Sequence, residues 1–357
     1  MRDERDENLI KTLRLLSPGA ALYEGLENIL RARSGALIVV GDSPDVLALV
    51  NGGFKIDAEA NPSALYELAK MDGAIVLSSD ARRILYVNAQ LMPNPMIPTV
   101  ETGTRHRTAE RVARQTGSLV IAISQRRNVI TIYRGTLRHV LRDVGVVLAK
   151  ANQALATLER YKKVLEQALT NLTALEFEDL VTLHDVTTCI QRAQMVERIA
   201  QEIRRYIAEL GTEGRLVQMQ LDELMVDIRD EGRLVIKDYF APGEDGAADA
   251  LWNEMMTWSS EDLLDLSLIA RSLGHGGPIA SLDVPITPRG HRVLHKIPRL
   301  PEQVVENLVR VFTTLPEILN ASIDELDDVE GIGEVRARNI SEGLRRLREQ
   351  ALLDRHL

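Results

Sequence analysis

A single cysteine, Cys189, stands in a chain of 357 residues, so no intrachain disulfide can form and the sequence suits a reducing compartment. Its neighbours, Val186-Thr187-Thr188 and Ile190, include no second Cys or His at metal-ligand spacing, which makes it a packed thiol. Aromatic residues amount to only 4%, so packing rests on Leu, Ile, Val and Ala and leans toward helix. No apolar run is long enough to span a bilayer. The N-terminal Met1-Arg2-Asp3-Glu4-Arg5-Asp6-Glu7 lacks the apolar stretch of a secretory signal. Both absences predict a cytoplasmic protein without membrane association. A Gly-x-x-x-x-Gly-Lys-Ser/Thr loop is missing, which excludes a P-loop protein. Nor does a Gly-x-Gly-x-x-Gly follow any strand, which removes support for a dinucleotide fold of that type.

What is present is an ordinary soluble composition, 45% hydrophobic and 27% charged, with a net charge of −9. That balance argues against a surface coated in nucleic acid and leaves room for a localised basic face. The length predicts two or three domains. Residues 1–140 read as mixed α/β. Helices are predicted over Asn8–Leu16 and Ala21–Arg33, and a buried strand over the apolar run Gly35–Gly41. A short helix follows to Lys70, capped by Asn61 with Pro62 at its first position. Strands are predicted at Ala74–Ser78, Ile84–Val87, Leu119–Ser124 and Val129–Tyr133, with Asp80-Ala81-Arg82-Arg83 as a hairpin connection.

From about Leu141 the pattern becomes helical. Val144, Leu148, Ala151, Leu155, Leu158, Leu165, Leu169 and Leu172 recur at spacings of three and four, with Lys162 as the interruption. Further helices are predicted over Thr187–Leu210, Gly214–Arg229 and Ser259–Leu273, the last beyond an acidic loop at Gly243-Glu244-Asp245-Gly246. Gly274-His275-Gly276-Gly277-Pro278 and Val284-Pro285-Ile286-Thr287-Pro288 mark a linker. Beyond it, two short helices flank a Gly331-Ile332-Gly333 turn. No internal repeat stands out.

Two clusters carry chemistry. Asp72-Gly73-Ala74 sits between a helix end and a strand start. It reads either as a turn chosen for backbone geometry or as a metal ligand beside a backbone that a nucleotide can approach. Gly103-Thr104-Arg105-His106-Arg107-Thr108 opens a helix predicted to run to Gln115. This places guanidinium groups, an imidazole and hydroxyls at the positive end of the helix dipole. Planar guanidinium forks suit phosphate oxygens, and a phosphate site is favoured over a solvated charged face. Ser124-Gln125-Arg126-Arg127 ends a strand either as a phosphate contact or as a plain basic turn. In the tail, five arginines against two glutamates between Gly331 and Arg348 give a local positive balance. A Gly-x-Gly hairpin can present amides to a DNA phosphate, or it can serve as a packing or protein-binding hairpin.

The paired motifs Asp72-Gly73-Ala74 and Gly103 to Ala109 resemble those of the diadenylate cyclase family. The likeness extends through Gly35–Gly41, Leu91-Met92-Pro93-Asn94-Pro95 and Ser124, and over the helical middle and tail to the DNA integrity scanning (DisA) type. The resemblance implies an α+β multidomain chain of three parts. These are a cyclase domain at 1–140 with a central sheet flanked by helices, a helical spine at 141–285, and a helix-hairpin-helix DNA-binding domain at 286–357. It further implies condensation of two ATP into cyclic di-AMP and two pyrophosphates with Mg²⁺ or Mn²⁺. Asp72 would bind the metal and help activate the ribose 3′-hydroxyl, with Arg105, His106 and Arg107 in the catalytic machinery. Gly73 and Ala74 would border the nucleotide, and Leu91 would line the base pocket. Thr104, Arg105, His106, Arg107, Thr108 and Ser124 would hold phosphates. Gly331, Gly333, Arg336 and Arg338 would contact branched, Holliday-junction-like DNA, whose binding would suppress synthesis. Cyclase domains would meet face to face in a homo-octamer, so a monomer would be inactive. A nucleotide-gated DNA sensor without turnover and a different nucleotidyltransferase remain alternatives.

Overall fold

The structure, a computed structural model, describes residues 2–241, 246–275 and 282–354. The acidic stretch Gly243-Glu244-Asp245 and the linker residues Gly276-Gly277-Pro278 therefore lie outside the described residues. The chain forms two compact units, one of residues 1–153 and 203–219, the other of residues 154–202 and 220–357. The segments on either side of residue 285 thus share the second unit.

The first unit runs α1 (Arg2–Arg14), α2 (Tyr23–Arg31), β1 (Ala36–Val40), α3 (Pro44–Leu47), β2 (Val50–Asn51), β3 (Phe54–Glu59), α4 (Pro62–Leu68), β4 (Ala74–Leu77), β5 (Arg83–Leu91), α5 (Thr104–Thr116), β6 (Leu119–Ser124), β7 (Val129–Arg134) and β8 (Leu137–Val140). The eight strands form one sheet in the order β2-β5-β4-β1-β6-β7-β8, with β3 also on β5. Only β1 and β4 are parallel; the other pairings are antiparallel.

The unbroken apolar run of β1 follows from its central place, since both of its faces are covered. Ile38 and Val40 pack with Leu26, Ile29 and Leu65 on one face. Leu37 and Val39 pack with Ala109, Val112 and Ala113 of α5 on the other. Asn61 caps α4 by accepting the Ala64 N–H at 2.8 Å, as its position before Pro62 predicts. Helix α1 begins earlier than the apolar pattern suggests, within the mixed-charge run.

Two long helices, α6 (Val144–Glu178) and α7 (Leu183–Leu210), belong partly to each unit. Along α6, Ala151, Leu155, Leu158, Leu165, Leu169 and Leu172 are buried as their spacing predicts, while Val144 and Leu148 are half-buried. The interrupting Lys162 pairs with Glu166 at 3.4 Å. There follow α8 (Arg215–Met225), α9 (Glu231–Tyr239), α10 (Ala247–Met255), α11 (Ser260–Leu264) and α12 (Leu266–Ser272). The single helix expected over Ser259–Leu273 is broken at Asp265, whose carboxylate caps α12 by accepting from Ser267 and Leu268. Last come α13 (His291–His295), α14 (Glu302–Phe312), α15 (Leu315–Asn320), α16 (Ile323–Asp327) and α17 (Glu334–Asp354). The second helix after the Gly-Ile-Gly turn is therefore long, at 21 residues.

The second unit contains a buried charge network. The Arg292 side chain is fully buried. Its guanidinium donates to Glu176, to the Thr173 hydroxyl at 2.9 Å and to Glu231 at 3.3 Å. Tyr239 donates to Glu176 at 2.9 Å. Asp238 accepts the backbone N–H groups of Gly290, His291 and Arg292 at 2.6–3.0 Å. Burial and the nearby Glu176 charge push the Asp238 carboxyl up to about 7. Cys189 is a buried free thiol, pushed up to about 12 by burial, which suits a packing role.

Removing one member of a buried ion pair strands the other charge. Arg292→Met should therefore cost about 3–5 kcal/mol in urea unfolding. The double variant Arg292→Met/Glu176→Met should recover a large part of that loss. A single variant within about 0.5 kcal/mol of wild type would contradict this account of the network.

Candidate functional site

Register brings the two sequence clusters to one end of the sheet. Leu37 of β1 lies opposite Ala74 of β4 in the parallel pair. Gly35 and Asp72, each two residues upstream, therefore lie at the same end of the sheet. Ala36 faces Ile123 across the β1–β6 pair, which brings Ser124 to the same end. Ala74 faces Ala89, so Leu91, two residues further along β5, comes there as well. Helix α5 supplies the fourth side. Its Arg105 guanidinium lies against Gly35 so closely that an added Cβ would overlap it.

Asp72 is exposed. Among the described residues its carboxylate has neither a hydrogen-bond nor an ion-pair partner. No cluster of three or more His, Cys, Asp or Glu able to hold a metal occurs among the described residues. A lone free carboxylate still fits one kind of cation. Mg²⁺ commonly takes one or two carboxylates and completes its shell with phosphate oxygens and water, so a nucleotide would have to supply the rest.

Gly73 has φ +98°, and an added Cβ would fall 2.7 Å from the Asn88 backbone carbon. Its glycine is thus required by strand β5 itself, whatever else approaches it. Ala74 and Leu91 are buried in the core beneath α5; Leu91 is 7% exposed.

The first turn of α5 leaves its leading donors uncapped. Gly103 precedes it without a side-chain cap, and the turn holds no acidic residue, so its leading amides have no side chain competing for them. Thr104 and Arg107 are exposed, while Arg105, His106 and Thr108 are half-buried. Glu110 does not oppose these cations. It is 4% exposed and accepts from the Thr99 hydroxyl, from Val100 N–H at 3.2 Å and from Arg114 at 2.6 Å. That pins the preceding loop to the helix. Ser124 accepts the Arg127 N–H at 3.2 Å in the β6–β7 turn.

His106 is set in a network that sequence reasoning missed. Its Nδ1 lies 3.0 Å from the Tyr133 hydroxyl, which donates to Glu101 at 2.8 Å. Arg138 also donates to Glu101, at 2.7 Å. Burial lowers the His106 imidazole; Glu101 opposes this, while Arg127, Arg105 and Arg138 push it lower still. For Glu101 burial acts upward, but the bonds from Arg138 and Tyr133 outweigh it and the carboxyl is held low. Glu101 and Tyr133 are far from His106 in sequence or lie in a loop, and only their meeting in space identifies them.

The tail presents a second candidate surface. Gly331 takes φ +84°, Ile332 is buried among Val304, Val329 and Ile340, and Gly333 has open space beside it. Arg336 donates to the Gly331 carbonyl, and Arg338 pairs with Glu334. The same backbone turn occurs once more between α13 and α14. Arg299 has φ +63° where Gly331 has +84°. Leu300 N–H bonds the Ile297 carbonyl as Ile332 bonds Val329, and Val305 bonds Pro301 as Ala337 bonds Gly333. No repeat stands out in the sequence, although the two turns share these bonds. Arg299 and Pro301, standing where the second hairpin has glycines, hide the likeness. Asn307 joins the two by donating to the Glu330 carbonyl at 2.9 Å. Arg299, Arg336 and Arg346 line one cavity of about 720 Å³.

Because only the flexible tip of Arg105 blocks a Cβ at Gly35, Gly35→Ala should leave the melting temperature within a few degrees of wild type. Affinity for inorganic triphosphate should fall roughly ten- to hundredfold as the guanidinium moves. Unchanged affinity would show that the anion does not use Arg105.

Comparison with known proteins identifies the family. Residues 23–137 match the family described as DisA bacterial checkpoint controller nucleotide-binding, the DAC domain. Residues 141–282 match the DisA bacterial checkpoint controller linker region. The DNA integrity scanning protein DisA of Symbiobacterium thermophilum is 60% identical over 347 residues, 97% of this chain and 98% of that one. The protein of the same name from Carboxydothermus hydrogenoformans is 58% identical over 346 residues, again 97% and 98%. That of Clostridium perfringens is 56% identical over 357 residues and the full length of both. With a nucleotide-binding domain, a linker region and near-full-length relatives of one kind, this chain belongs to the DisA family of DNA integrity scanning proteins.

Proposed function

We propose that this chain is a diadenylate cyclase, condensing two ATP into cyclic di-AMP with release of two pyrophosphates. The observation that supports the reading is the sheet end that carries both Asp72, a carboxylate without a partner among the described residues, and Gly35 with the Arg105 guanidinium laid over it. A carboxylate and a phosphate-binding helix start at one place are what attack of a ribose 3′-hydroxyl on an α-phosphate requires.

Arg105, Arg107, Thr104 and Thr108 hold phosphate oxygens at the start of α5, together with its free amides, and Ser124 adds a hydroxyl from β6. Asp72 holds Mg²⁺ or Mn²⁺; when bound, such a cation lowers the pKa of the attacking hydroxyl and offsets charge on the phosphates. His106 faces the same phosphates through Nε2. Gly73 and Ala74 border the nucleotide as main chain, since the Ala74 side chain is buried, and Leu91 forms the floor of the base pocket. Cyclisation needs two nucleotides placed reciprocally, so two cyclase domains meet face to face in a homo-octamer and a monomer is inactive.

The three-part division at 1–140, 141–285 and 286–357 assigns DNA to the tail. Gly331, Gly333, Arg336 and Arg338 contact the phosphates of branched DNA, and the first hairpin, at Arg299, offers a second contact of the same build. DNA bound there suppresses synthesis. No helix among the described residues is long and apolar enough to cross a membrane.

Chromatography of products formed from ATP and Mn²⁺ tests the chemistry. Wild type should yield cyclic di-AMP, and Asp72→Asn should bind ATP but form none. ATP binding without product in wild type would favour a nucleotide-gated DNA sensor. For the tail, Arg336→Ala should weaken binding to a four-way junction several-fold and reduce the slope of log K against log salt by about 1. An unchanged slope would remove Arg336 from the phosphate contacts.

A further inference from the structure

The Glu101–Tyr133–His106 chain determines which ring nitrogen carries a proton. Glu101 has a side chain only 7% exposed and is held ionised by Arg138 and Tyr133 against the effect of burial. An ionised carboxylate has no proton to give. The single phenolic proton of Tyr133 therefore points at Glu101 across 2.8 Å. Burial and Glu101 both raise the Tyr133 phenol, so that proton stays in place. The Tyr133 oxygen then offers only a lone pair to His106 Nδ1 at 3.0 Å, and Nδ1 must be the donor. In a neutral imidazole the other nitrogen is bare. His106 Nε2 is buried and has no partner among the described residues.

A bare lone pair repels a phosphate oxygen, whereas the same nitrogen protonated donates a charge-assisted hydrogen bond. We propose that Glu101 and Tyr133 are positioning residues that hold His106 as the Nδ1–H tautomer, so that a triphosphate on the first turn of α5 binds with uptake of one proton from water at His106 Nε2. The step forms the Nε2–H bond and breaks one bond to hydrogen in hydronium or the buffer acid, which leaves as water or as the conjugate base; imidazole becomes imidazolium. It rests on the nucleotide reading given above. The groups facing the ring are Glu101 from the loop before α5, Arg105 from its own helix, Tyr133 from β7, Arg127 from the β6–β7 turn and Arg138 from β8. Three guanidinium groups against one carboxylate, together with burial, keep the free ring neutral. The charges of a triphosphate reverse that balance, and the proton can enter only at Nε2 because Nδ1 is already occupied.

The test is calorimetry of the full-length protein with 3′-deoxy-ATP, which lacks the attacking hydroxyl. Titrations at about pH 7.5 in two buffers of different ionisation enthalpy count the protons exchanged. The nucleotide's own protonation change is common to every protein compared and cancels in the differences. Wild type should take up more protons than Tyr133→Phe or Glu101→Gln by a clear fraction of one. Both variants should bind roughly tenfold more weakly, and Glu101→Asp should restore part of the uptake. Should Tyr133→Phe fail to fold, Glu101→Gln supplies the same comparison. Equal uptake by wild type and the folded variants would overturn the proposal while leaving nucleotide binding intact. Failure of wild type to bind 3′-deoxy-ATP at all would overturn both readings.

Discussion

The packing of helix α5 on the sheet is the constraint from which the candidate site follows. Ala109, Val112 and Ala113 are fully buried against Leu37, Val39, Ala74, Val76, Val120 and Ala122. The small residues on that face let the helix lie close to the strands. Glu110, on the same buried side, ties the helix to the loop before it through Thr99 and Val100. With the helix held at its middle and the loop held at its entry, the first turn has little freedom. Its cations and uncapped amides are presented at the sheet end that also carries Gly35 and Asp72. The affinity of such a site comes from preorganisation, because the donors are in place before any anion arrives.

Charge is handled differently in the two units. In the first, the basic turn of α5 faces outward without an acidic residue among its first positions, and Asp72 stands free among the described residues. A ligand carrying phosphate and a cation has charge complementary to both. In the second, Arg292, Glu176 and Tyr239 are buried and bonded to one another, with only Arg292 Nε lacking a partner among the described residues of this network, and the buried Asp238 accepts three backbone N–H groups. That network consumes its own charge and specifies packing. The contrast is a physical criterion for separating a binding site from a scaffold in a chain rich in both kinds of residue.

Elements whose side chains face one uniform environment were legible in the sequence. The apolar runs of β1, β4 and β6, the period of α6 and the cap of α4 each declare themselves locally. Strand β3 does not: all six of its residues are exposed, and Asp57 takes φ +47° within it. It exists because β5 offers it an edge, a tertiary fact. The break at Asp265 depends on a side chain folding back on two amides, which periodicity cannot register. The first tail hairpin escaped because Arg299 occupies a left-handed backbone position usually given to glycine. Within the site, the motifs named Asp72 and Arg105 to Thr108, but their adjacency is a matter of strand register. Glu101, Tyr133 and Arg138 carry no motif and are joined only by the fold.

The central claim is that a nucleotide triphosphate sits between Asp72 and the first turn of α5. A crystal structure of the protein with 3′-deoxy-ATP and Mn²⁺ tests it most directly. The account predicts phosphate oxygens on Arg105, His106, Arg107 and Thr108, and the cation on Asp72. A nucleotide bound elsewhere, with Asp72 still facing only solvent, would contradict it.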